Sequence, residues 1–288
     1  MWAASHNRLF WRDRLPNDIL AQAGRYEGTG RESDVSQIKW SEGQHHAKDF
    51  RIEREGRRVV TGALWAPAKS TPESPMILCG HGASGDRYQA PIPHLARRFG
   101  IENEYPVLAL DGPVHGLRQV GRGGRAAFAE EMKRSSFLDD MVADWQLAFE
   151  TITHEVDLGR GPLGYYGLSM GTILGLPLLA SKIDFTAAAI GLCGSTGAAS
   201  RIGKRLLEDA ATVNHPVLFI MQLEDELFDR EGYLALFDAL SSTDKRLHAN
   251  PGLHPEVPAE EIDFVVAFLT NYLSGQANAL SIGLQGSR

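Results

Sequence analysis

The chain has 288 residues, of which 43% are hydrophobic, and its formal net charge at pH 7 is −7. This length and apolar content suit one large α/β domain spanning 1–288 better than two small domains. The negative charge provides no basic field for nucleic acid or an anionic membrane surface, so we expect neither as a partner.

Two further features of the sequence bear on the compartment. The first residues lack the uninterrupted apolar core of a signal peptide, and no apolar run approaches the roughly 20 residues of a membrane span. The only cysteines, Cys79 and Cys193, both end short apolar runs, which predicts buried thiols rather than a disulfide framework. The sequence therefore predicts a cytoplasmic protein.

The chain begins with an extension, 1–48, that is polar apart from scattered aromatic residues and has no long periodic stretch. We expect these aromatic residues to pack the extension. Residues 49–66 then alternate polar and apolar side chains around a Glu-Gly turn, which is typical of an antiparallel hairpin, and Pro67 ends the pattern.

From Met76 onward, short apolar strands alternate with helical segments, which indicates a parallel sheet covered on both faces. The predicted strands are Met76–Gly80, Pro106–Leu110, Gly161–Gly167, Thr186–Leu192, Pro216–Met221 and Lys245–Asn250. The predicted helices are Pro93–Phe99, Ser136–Thr153, Met170–Ser181, Arg230–Leu240 and Pro258–Leu273. The tail, 274–288, is small and polar, and we expect it to be partly mobile.

The helix predicted from Ser136 has the clearest pattern, because its apolar residues recur at helical spacing. Ser136 and Asp139 lie three residues apart at its start, a spacing that resembles a capping box.

Residues 163–176 form a short apolar run that breaks into a Gly-x-Ser-x-Gly turn and continues as a helix. A strand, a sharp turn and a helix are the context of a nucleophile elbow, with Ser169 at the apex. A glycine-rich turn carrying a solvated serine is the alternative. A nucleophilic serine also needs a base within hydrogen-bond reach and a third group that fixes the tautomer of the base.

Candidates for both groups follow downstream. The strand Pro216–Met221 ends in a loop rich in acidic residues, and His254 lies in the loop between the last strand and the last helix. The chain order is therefore serine, acid, histidine.

These motifs and this element order resemble the α/β-hydrolase superfamily, and within it the serine esterases related to the dienelactone-hydrolase group, over roughly 50–273. The dienelactone hydrolases themselves use cysteine where this chain has Ser169. The resemblance implies an α/β-hydrolase fold, with a mostly parallel central sheet, an N-terminal antiparallel hairpin and helices on both faces.

The resemblance also implies roles for particular residues. His254 matches the position of the family's base, in preference to His248, which we place within the last strand. Asp225 matches the position of the acid. The competing carboxylates of the same loop are Glu224, Glu226 and Asp229.

By the same resemblance, the GHGASG segment at 80–85 matches the oxyanion loop and assigns one donor to the N–H of Ala83. The second donor is expected from the N–H of Met170, directly after the nucleophile at the positive end of a helix. We expect His81 to organise this loop rather than carry protons.

The DGPVHG segment at 111–116 resembles a structural loop of the same fold, with Val114 in place of its first glycine. We therefore expect structural roles for Asp111 and His115.

Other chemistries have weaker support. A dehalogenase or epoxide hydrolase on this fold would carry aspartate at the elbow. The glycine-rich stretch 121–124 lacks the spacing of a phosphate-binding loop, and the histidines and cysteines show no metal-binding pairing. We expect no cofactor and no metal.

The sequence thus predicts a serine hydrolase that cleaves a small-molecule carboxylic ester or thioester through an acyl-enzyme. One alternative is a C–C hydrolase, lyase or acyltransferase that uses the same three residues, Ser169, Asp225 and His254. Another is a non-catalytic receptor on the same fold. Two candidate lids, 112–135 and 194–215, are short, and the second contains a predicted helix at Arg201–Ala211. Because both segments are short, we expect a partly open pocket that takes a small or medium acyl group. The sequence does not decide whether the chain forms a homo-oligomer.

Overall fold

In the computed structural model, which describes residues 37–54 and 56–276, nine strands form one sheet. The strands are β1 (Gln37–Glu42), β2 (Lys48–Glu53), β3 (Val60–Trp65), β4 (Met76–Gly80), β5 (Val107–Leu110), β6 (Leu163–Leu168), β7 (Ala187–Gly191), β8 (Val217–Gln222) and β9 (Lys245–Asn250). Their order across the sheet is β1-β2-β3-β5-β4-β6-β7-β8-β9. The first three strands and the β3–β5 pair are antiparallel, and all other neighbours are parallel.

The α-helices of the described residues lie between and after these strands. They are α1 (Ile92–Asn103), α2 (Gly124–Glu131), α3 (Phe137–Val156), α4 (Met170–Leu179), α5 (Gly203–Ala210), α6 (Arg230–Ala239) and α7 (Ala259–Leu273). None of these helices has the length and hydropathy of a membrane span.

The helices cover both faces of the sheet. Helices α1 and α7 pack together on one face, and α3, α4, α5 and α6 form the layer on the other. In β4, Met76 and Leu78 belong to the core under α3 and α4, whereas Ile77 and Cys79 belong to the core under α1 and α7. A strand that is buried on both sides has no polar face, which is why it reads as a continuous apolar run.

This architecture confirms the predicted α/β-hydrolase fold, with its mostly parallel sheet, N-terminal antiparallel hairpin and helices on both faces. Strands β4 to β9 all lie within two residues of their predicted bounds. The hairpin of β2 and β3 is also as predicted, although Glu55 in its turn lies outside the described residues.

Strand β1 is not among the predicted strands, because it lies within the segment 1–48, which is predicted as an extension packed by its aromatic residues. It pairs with β2 at the sheet edge, and the ring of Trp40 contacts the ring of Phe50 edge-on, with centroids 5.8 Å apart. Only Ile38 and Trp40 alternate with exposed residues in β1, so the pattern is too short to identify a strand. Residues 1–36 of the extension and 277–288 of the tail lie outside the described residues.

The capping box predicted at the start of α3 is not formed. Ser136 has right-handed helical dihedrals, and its side chain makes no capping hydrogen bond to the backbone. Its hydroxyl instead donates to Oδ2 of Asp140 at 3.1 Å. The serine hydroxyl therefore binds the carboxylate of Asp140, one helical turn later, and the predicted capping box with Asp139 does not form.

The topology brings several loops to one edge of the sheet. Because β4, β6, β8 and β9 are parallel, their carboxyl ends point the same way. The loops after these strands therefore meet, and they carry the candidate residues at 80–85, 169, 224–229 and 254. Ligands of open α/β sheets bind at such an edge.

Candidate active site

The turn between β6 and α4 holds Ser169 in a strained conformation. Its φ is 58° and its ψ is −119°, a combination that residues with a Cβ rarely adopt. The N–H of Ser169 donates to the carbonyl of Gly191 at 2.9 Å, which ties the turn to the end of β7. The serine side chain consequently stands at the carboxyl edge of the sheet, as at a nucleophile elbow.

Gly171 explains the second glycine of the Gly-x-Ser-x-Gly motif. A Cβ at this position would lie 2.5 Å from the carbonyl oxygen of Gly80, at the end of β4. The first turn of α4 therefore approaches β4 more closely than any side chain allows. This contact places the elbow beside the loop that follows β4.

His254 is the histidine that contacts the elbow serine. Its Nε2 lies 2.9 Å from Oγ of Ser169, and the residue is only 4% exposed. The ring of Phe228 packs on the imidazole with centroids 5.7 Å apart. The imidazole is thus held within hydrogen-bond reach of the serine hydroxyl and is itself largely shielded from solvent.

Asp225 lies on the other side of the imidazole. Its Oδ2 is 2.7 Å from Nδ1 of His254, and its Oδ1 accepts from the N–H groups of Leu227 at 2.7 Å and Phe228 at 3.1 Å. The hydroxyl of Tyr233 also donates to Oδ2. Since a carboxylate can only accept, Nδ1 of His254 carries the proton and Nε2 is free to accept the hydrogen of Ser169 Oγ.

The electrostatics of Asp225 favour its ionised form. Burial raises the pKa of this carboxyl, but the hydrogen bonds from His254, from Tyr233 and from the backbone outweigh burial and leave the pKa below its usual range. Asp225 is therefore a carboxylate at neutral pH.

The competing acids of this loop have other partners. Oε2 of Glu224 accepts from the N–H of Gly252, and Oε2 of Glu226 accepts from the N–H of His254 at 2.9 Å. Asp229 caps α6 by accepting from the N–H of Gly232 at 2.7 Å. Among the four acids, only Asp225 contacts an imidazole nitrogen of His254.

His248, the competing histidine, lies within β9 as expected. Its Nδ1 is 2.9 Å from Oε2 of Glu261, and its ring contacts Phe264 edge-on. The structure therefore places it away from the elbow serine, in a contact between β9 and α7.

The two expected oxyanion donors lie on either side of the elbow. Met170 is the first residue of α4, and Ala83 lies in the loop after β4 that lines the same cavity as Ser169. Within the described residues, neither N–H donates a hydrogen bond to the rest of the chain. The carbonyl of Ala83 accepts from Nε2 of His115 at 3.0 Å, which fixes this loop. Their role as oxyanion donors stays a prediction.

His81 bridges the loops after β4 and β5. Its Nδ1 donates to the carbonyl of Gly82 at 2.8 Å, and its Nε2 accepts from the N–H of Gly112 at 2.8 Å. Burial lowers the pKa of His81 to about 4. The ring is consequently neutral at pH 7, with its proton already committed to a carbonyl.

Asp111 is fully buried among hydrogen-bond donors. It accepts from the hydroxyl of Thr61 at 2.6 Å, from the N–H of Leu117 at 3.1 Å and from Nη1 of Arg87 at 3.0 Å. Arg87 also pairs with Asp49 at 2.7 Å. This ion cluster joins β2, β3 and the loops after β4 and β5.

A cavity of about 300 Å³ opens at Ser169 and His254. Its apolar wall includes Pro91, Ile92, Leu168, Leu192, Val257 and Ile262, and its polar side chains include Ser84, Gln89 and Arg125. Of the two candidate lids, 112–135 contributes Arg125 through α2, whereas 194–215 contributes no lining residue. Among the described residues, no group of three or more histidine, cysteine or acidic side chains could hold a metal ion.

The sequence analysis does not identify three residues that line the site or join the loops around it: Tyr233, Arg87 and Arg125. Tyr233 donates a hydrogen bond to Asp225, eight positions earlier. Arg87 pairs with Asp49 and Asp111, which are 38 and 24 positions away. No local spacing connects these pairs. Arg125 lies in a segment recognised only as a candidate lid.

The fold and this cluster of serine, histidine and aspartate at the carboxyl edge define an α/β-hydrolase. Solved structures agree. A cold-adapted esterase from an Arctic intertidal metagenomic library, in complex with PEG, is 31% identical over 82% of this chain and 97% of that one, with a TM-score of 0.70. No protein-family model and no curated protein matches the chain.

More distant structures show the same fold. An acetyl xylan esterase from Paenibacillus sp. R4 is 15% identical over 92% of this chain and 94% of that one, with a TM-score of 0.62. Est1E from Butyrivibrio proteoclasticus is 13% identical over 80% of this chain and 99% of that one, with a TM-score of 0.57.

With a 31% identical esterase matched over nearly its whole length, the chain belongs to the serine esterases of the α/β-hydrolase superfamily. It is a hydrolase of the esterase type. The narrower relation to the dienelactone-hydrolase group stays a prediction, because none of these structures bears on it.

Proposed function

We propose that the chain hydrolyses a carboxylic ester or thioester of small or medium size through an acyl-enzyme, with Ser169, His254 and Asp225 as the catalytic triad. One observation carries the proposal. A continuous hydrogen-bond chain runs from Oγ of Ser169 to Nε2 of His254 at 2.9 Å and from Nδ1 to Asp225 at 2.7 Å. This arrangement has the geometry of an activated serine.

In the first half of the reaction, Oγ of Ser169 attacks the ester carbonyl carbon while His254 Nε2 takes its proton. The carbon–oxygen bond to the alcohol then breaks, and the alcohol oxygen receives the proton from Nε2. In the second half, water attacks the acyl-enzyme, gives its proton to Nε2, and releases the acid as Oγ regains the proton. Asp225 stabilises the imidazolium that forms in both halves.

The tetrahedral intermediates need donors for the negative oxygen. The free N–H groups of Ala83 and Met170 support a role as oxyanion hole, and Met170 has the added field of the α4 N-terminus. Loss of one such donor typically costs about 3 to 4 kcal/mol of transition-state stabilisation.

The cavity supports a substrate of limited size. Its volume of about 300 Å³ lies at the lower end of small-molecule sites, and its wall is largely apolar. We therefore propose acyl groups of small or medium length, and an acyl preference for long chains over acetate and butyrate would contradict this part.

The experiment compares hydrolysis of 4-nitrophenyl acetate, butyrate and decanoate by the wild type and by Ser169→Ala, His254→Ala and Asp225→Asn. We expect Ser169→Ala and His254→Ala to lose at least about a thousandfold in kcat, and Asp225→Asn to lose about 10³ to 10⁴ because the imidazole tautomer is no longer fixed. His248→Gln is the matched histidine control, and it should keep wild-type kcat because this ring contacts Glu261.

Other results would overturn the proposal. Ester turnover that survives in Ser169→Ala would exclude Ser169 as the nucleophile. Covalent labelling of Ser169 by a fluorophosphonate without turnover of any ester would instead indicate a receptor.

We also infer a cytoplasmic location, for which the cysteines give support. Cys79 and Cys193 are both buried free thiols. Cysteines left as free thiols fit a reducing compartment, where disulfides are rare.

A further inference from the structure

The charge on the wall of the active-site cavity is one-sided. Among the described residues that line it, Arg125 is the one side chain with a permanent charge, and no aspartate or glutamate lines it. Most of the remaining wall is apolar. A guanidinium on such a wall attracts anions into the cavity without a neighbouring carboxylate to cancel its field.

Two other arginines of the same segment, Arg118 and Arg134, form ion pairs with aspartates of α3. Arg118 pairs with Asp144 at 2.6 Å, and Arg134 pairs with Asp140 at 2.6 Å. Arg125 has no ion pair within the described part of the chain, although several carboxylates lie on α2 and α3. Its charge is therefore available to a ligand.

The local backbone determines where this charge lies. Gly123 and Gly124 both have positive φ, at 62° and 71°, which residues with a Cβ adopt only under strain. The chain reverses through these glycines and starts α2, with Arg125 as its second residue. The turn thus places the guanidinium on the wall of the cavity that contains Ser169 and His254.

We propose that the substrate carries a carboxylate near the scissile ester bond and that Arg125 binds this carboxylate. A guanidinium matches the two oxygens of a carboxylate with paired N–H donors, so an anionic ester gains a contact that a neutral ester of the same shape lacks. This inference rests on the proposed function, since it names the substrate class of the same site.

The carboxylate could lie on either side of the ester, and two pairs of substrates separate these sources. For the acyl side, we compare 4-nitrophenyl hydrogen adipate with its methyl ester. For the alcohol side, we compare 3-butyryloxybenzoate with its methyl ester. Within each pair only the charge and one methyl group differ, so the ratio of the two kcat/KM values reports recognition of the carboxylate.

We expect the wild type to prefer the charged member of one pair by about five- to tenfold at low salt. The guanidinium is exposed, so the preference should fall towards one at 1 M NaCl, where screening acts over about 3 Å. In Arg125→Gln the ratio should fall to about one, and Arg125→Lys should keep part of it. Arg122→Gln is the matched control, because Arg122 is exposed on the same segment and does not line the cavity.

A wild-type ratio near one in both pairs would overturn the inference, and so would a preference that Arg125→Gln retains. Neither result touches the proposed function, which is tested by the loss of turnover of the neutral methyl esters in Ser169→Ala. The pair that shows the preference identifies the side of the ester that faces Arg125.

Discussion

Tyr233 donates its hydroxyl hydrogen to Oδ2 of Asp225, the same oxygen that accepts from His254 Nδ1. Tyr233 is fully buried, with its ring packed on Phe219 and Phe228. Two donors on one carboxylate oxygen both favour the ionised acid, so the tyrosine contributes to the low pKa of Asp225.

Tyr233→Phe keeps the ring and removes this donor. We expect kcat/KM to fall about threefold to tenfold and the free energy of unfolding at pH 7 to fall by about 1.5 to 3 kcal/mol, the range for a hydrogen bond to a charged group. The pKa of Asp225 should rise, since one donor to its ionised form is lost.

The pH dependence of the Tyr233→Phe effect follows from the sign of that shift. Because the folded pKa of Asp225 lies below its unfolded value near 3.9, its stabilising contribution is complete above pH 3.9 and disappears as the pH falls through the folded pKa. Urea unfolding at pH 7 and at pH 3 should therefore show a smaller difference between mutant and wild type in acid. Equal differences at both pH values would contradict the role of Tyr233 at the carboxylate.

The elbow predicts an unusual order of stability. Ser169→Gly and Ser169→Ala both remove the nucleophile, but only glycine adopts φ of 58° with ψ of −119° without strain. We expect the glycine variant to be more stable than the alanine variant by about 0.5 to 2 kcal/mol, after allowing for the greater freedom of unfolded glycine. Urea unfolding of the two variants measures this difference, and a more stable alanine variant would show that the turn is unstrained.

Arg87 is expected to be a major source of stability. It is 5% exposed and neutralises both Asp49 and the fully buried Asp111. Arg87→Ala leaves two carboxylates without their cation, so we expect the free energy of unfolding to fall by about 3 to 5 kcal/mol. The exposed Arg57→Ala is the control and should change stability by less than about 0.5 kcal/mol. Similar losses for both variants would exclude a special role for the buried cluster.

We expect the protein to lose stability in mild acid because of His215. Burial lowers its pKa to about 4, against the weaker attraction of Asp184, and its Nε2 has no hydrogen-bond partner within the described residues. Between pH 6.5 and about 4 the unfolded chain takes up a proton that the folded chain does not, so the free energy of unfolding falls as the pH falls through this window.

His215→Leu removes this penalty. The variant should gain about 1 to 3 kcal/mol relative to the wild type between pH 8 and pH 4.5, at 1.36 kcal/mol per unit of pKa shift. Urea unfolding at the two pH values measures the gain. The pKa of His81 is lowered in the same way, and this residue contributes equally to the pH dependence of unfolding in the wild type and the variant. If the free energies of unfolding of the two proteins change in parallel with pH, His215 has an ordinary pKa in the folded chain.

The sequence allowed the parallel part of the fold to be predicted because strands buried on both faces leave unbroken apolar runs. It failed where that signal is short. Helix α2 buries only Phe128, so no apolar stripe marks it, and β1 offers just two inward residues at a sheet edge. In both elements, pairing or packing with distant residues decides the structure.

The site shows a similar division. The motif around Ser169 depends on local backbone conformation and can be recognised within five residues, 167–171. The choice among four acids within six positions, 224–229, depends instead on which carboxylate faces His254. The two residues of that contact are 29 positions apart, so spacing along the chain does not identify which acid makes it.

Glu224 and Glu226 flank Asp225 and hold the N–H groups of Gly252 and His254. Two hydrogen bonds therefore join the loop that carries Asp225 to the loop that carries His254. A recombinant made with a related esterase, with its crossover between 229 and 251, would separate the glutamates from the backbone they hold and misalign the imidazole. Any exchange of these segments between homologues has to move both as one unit.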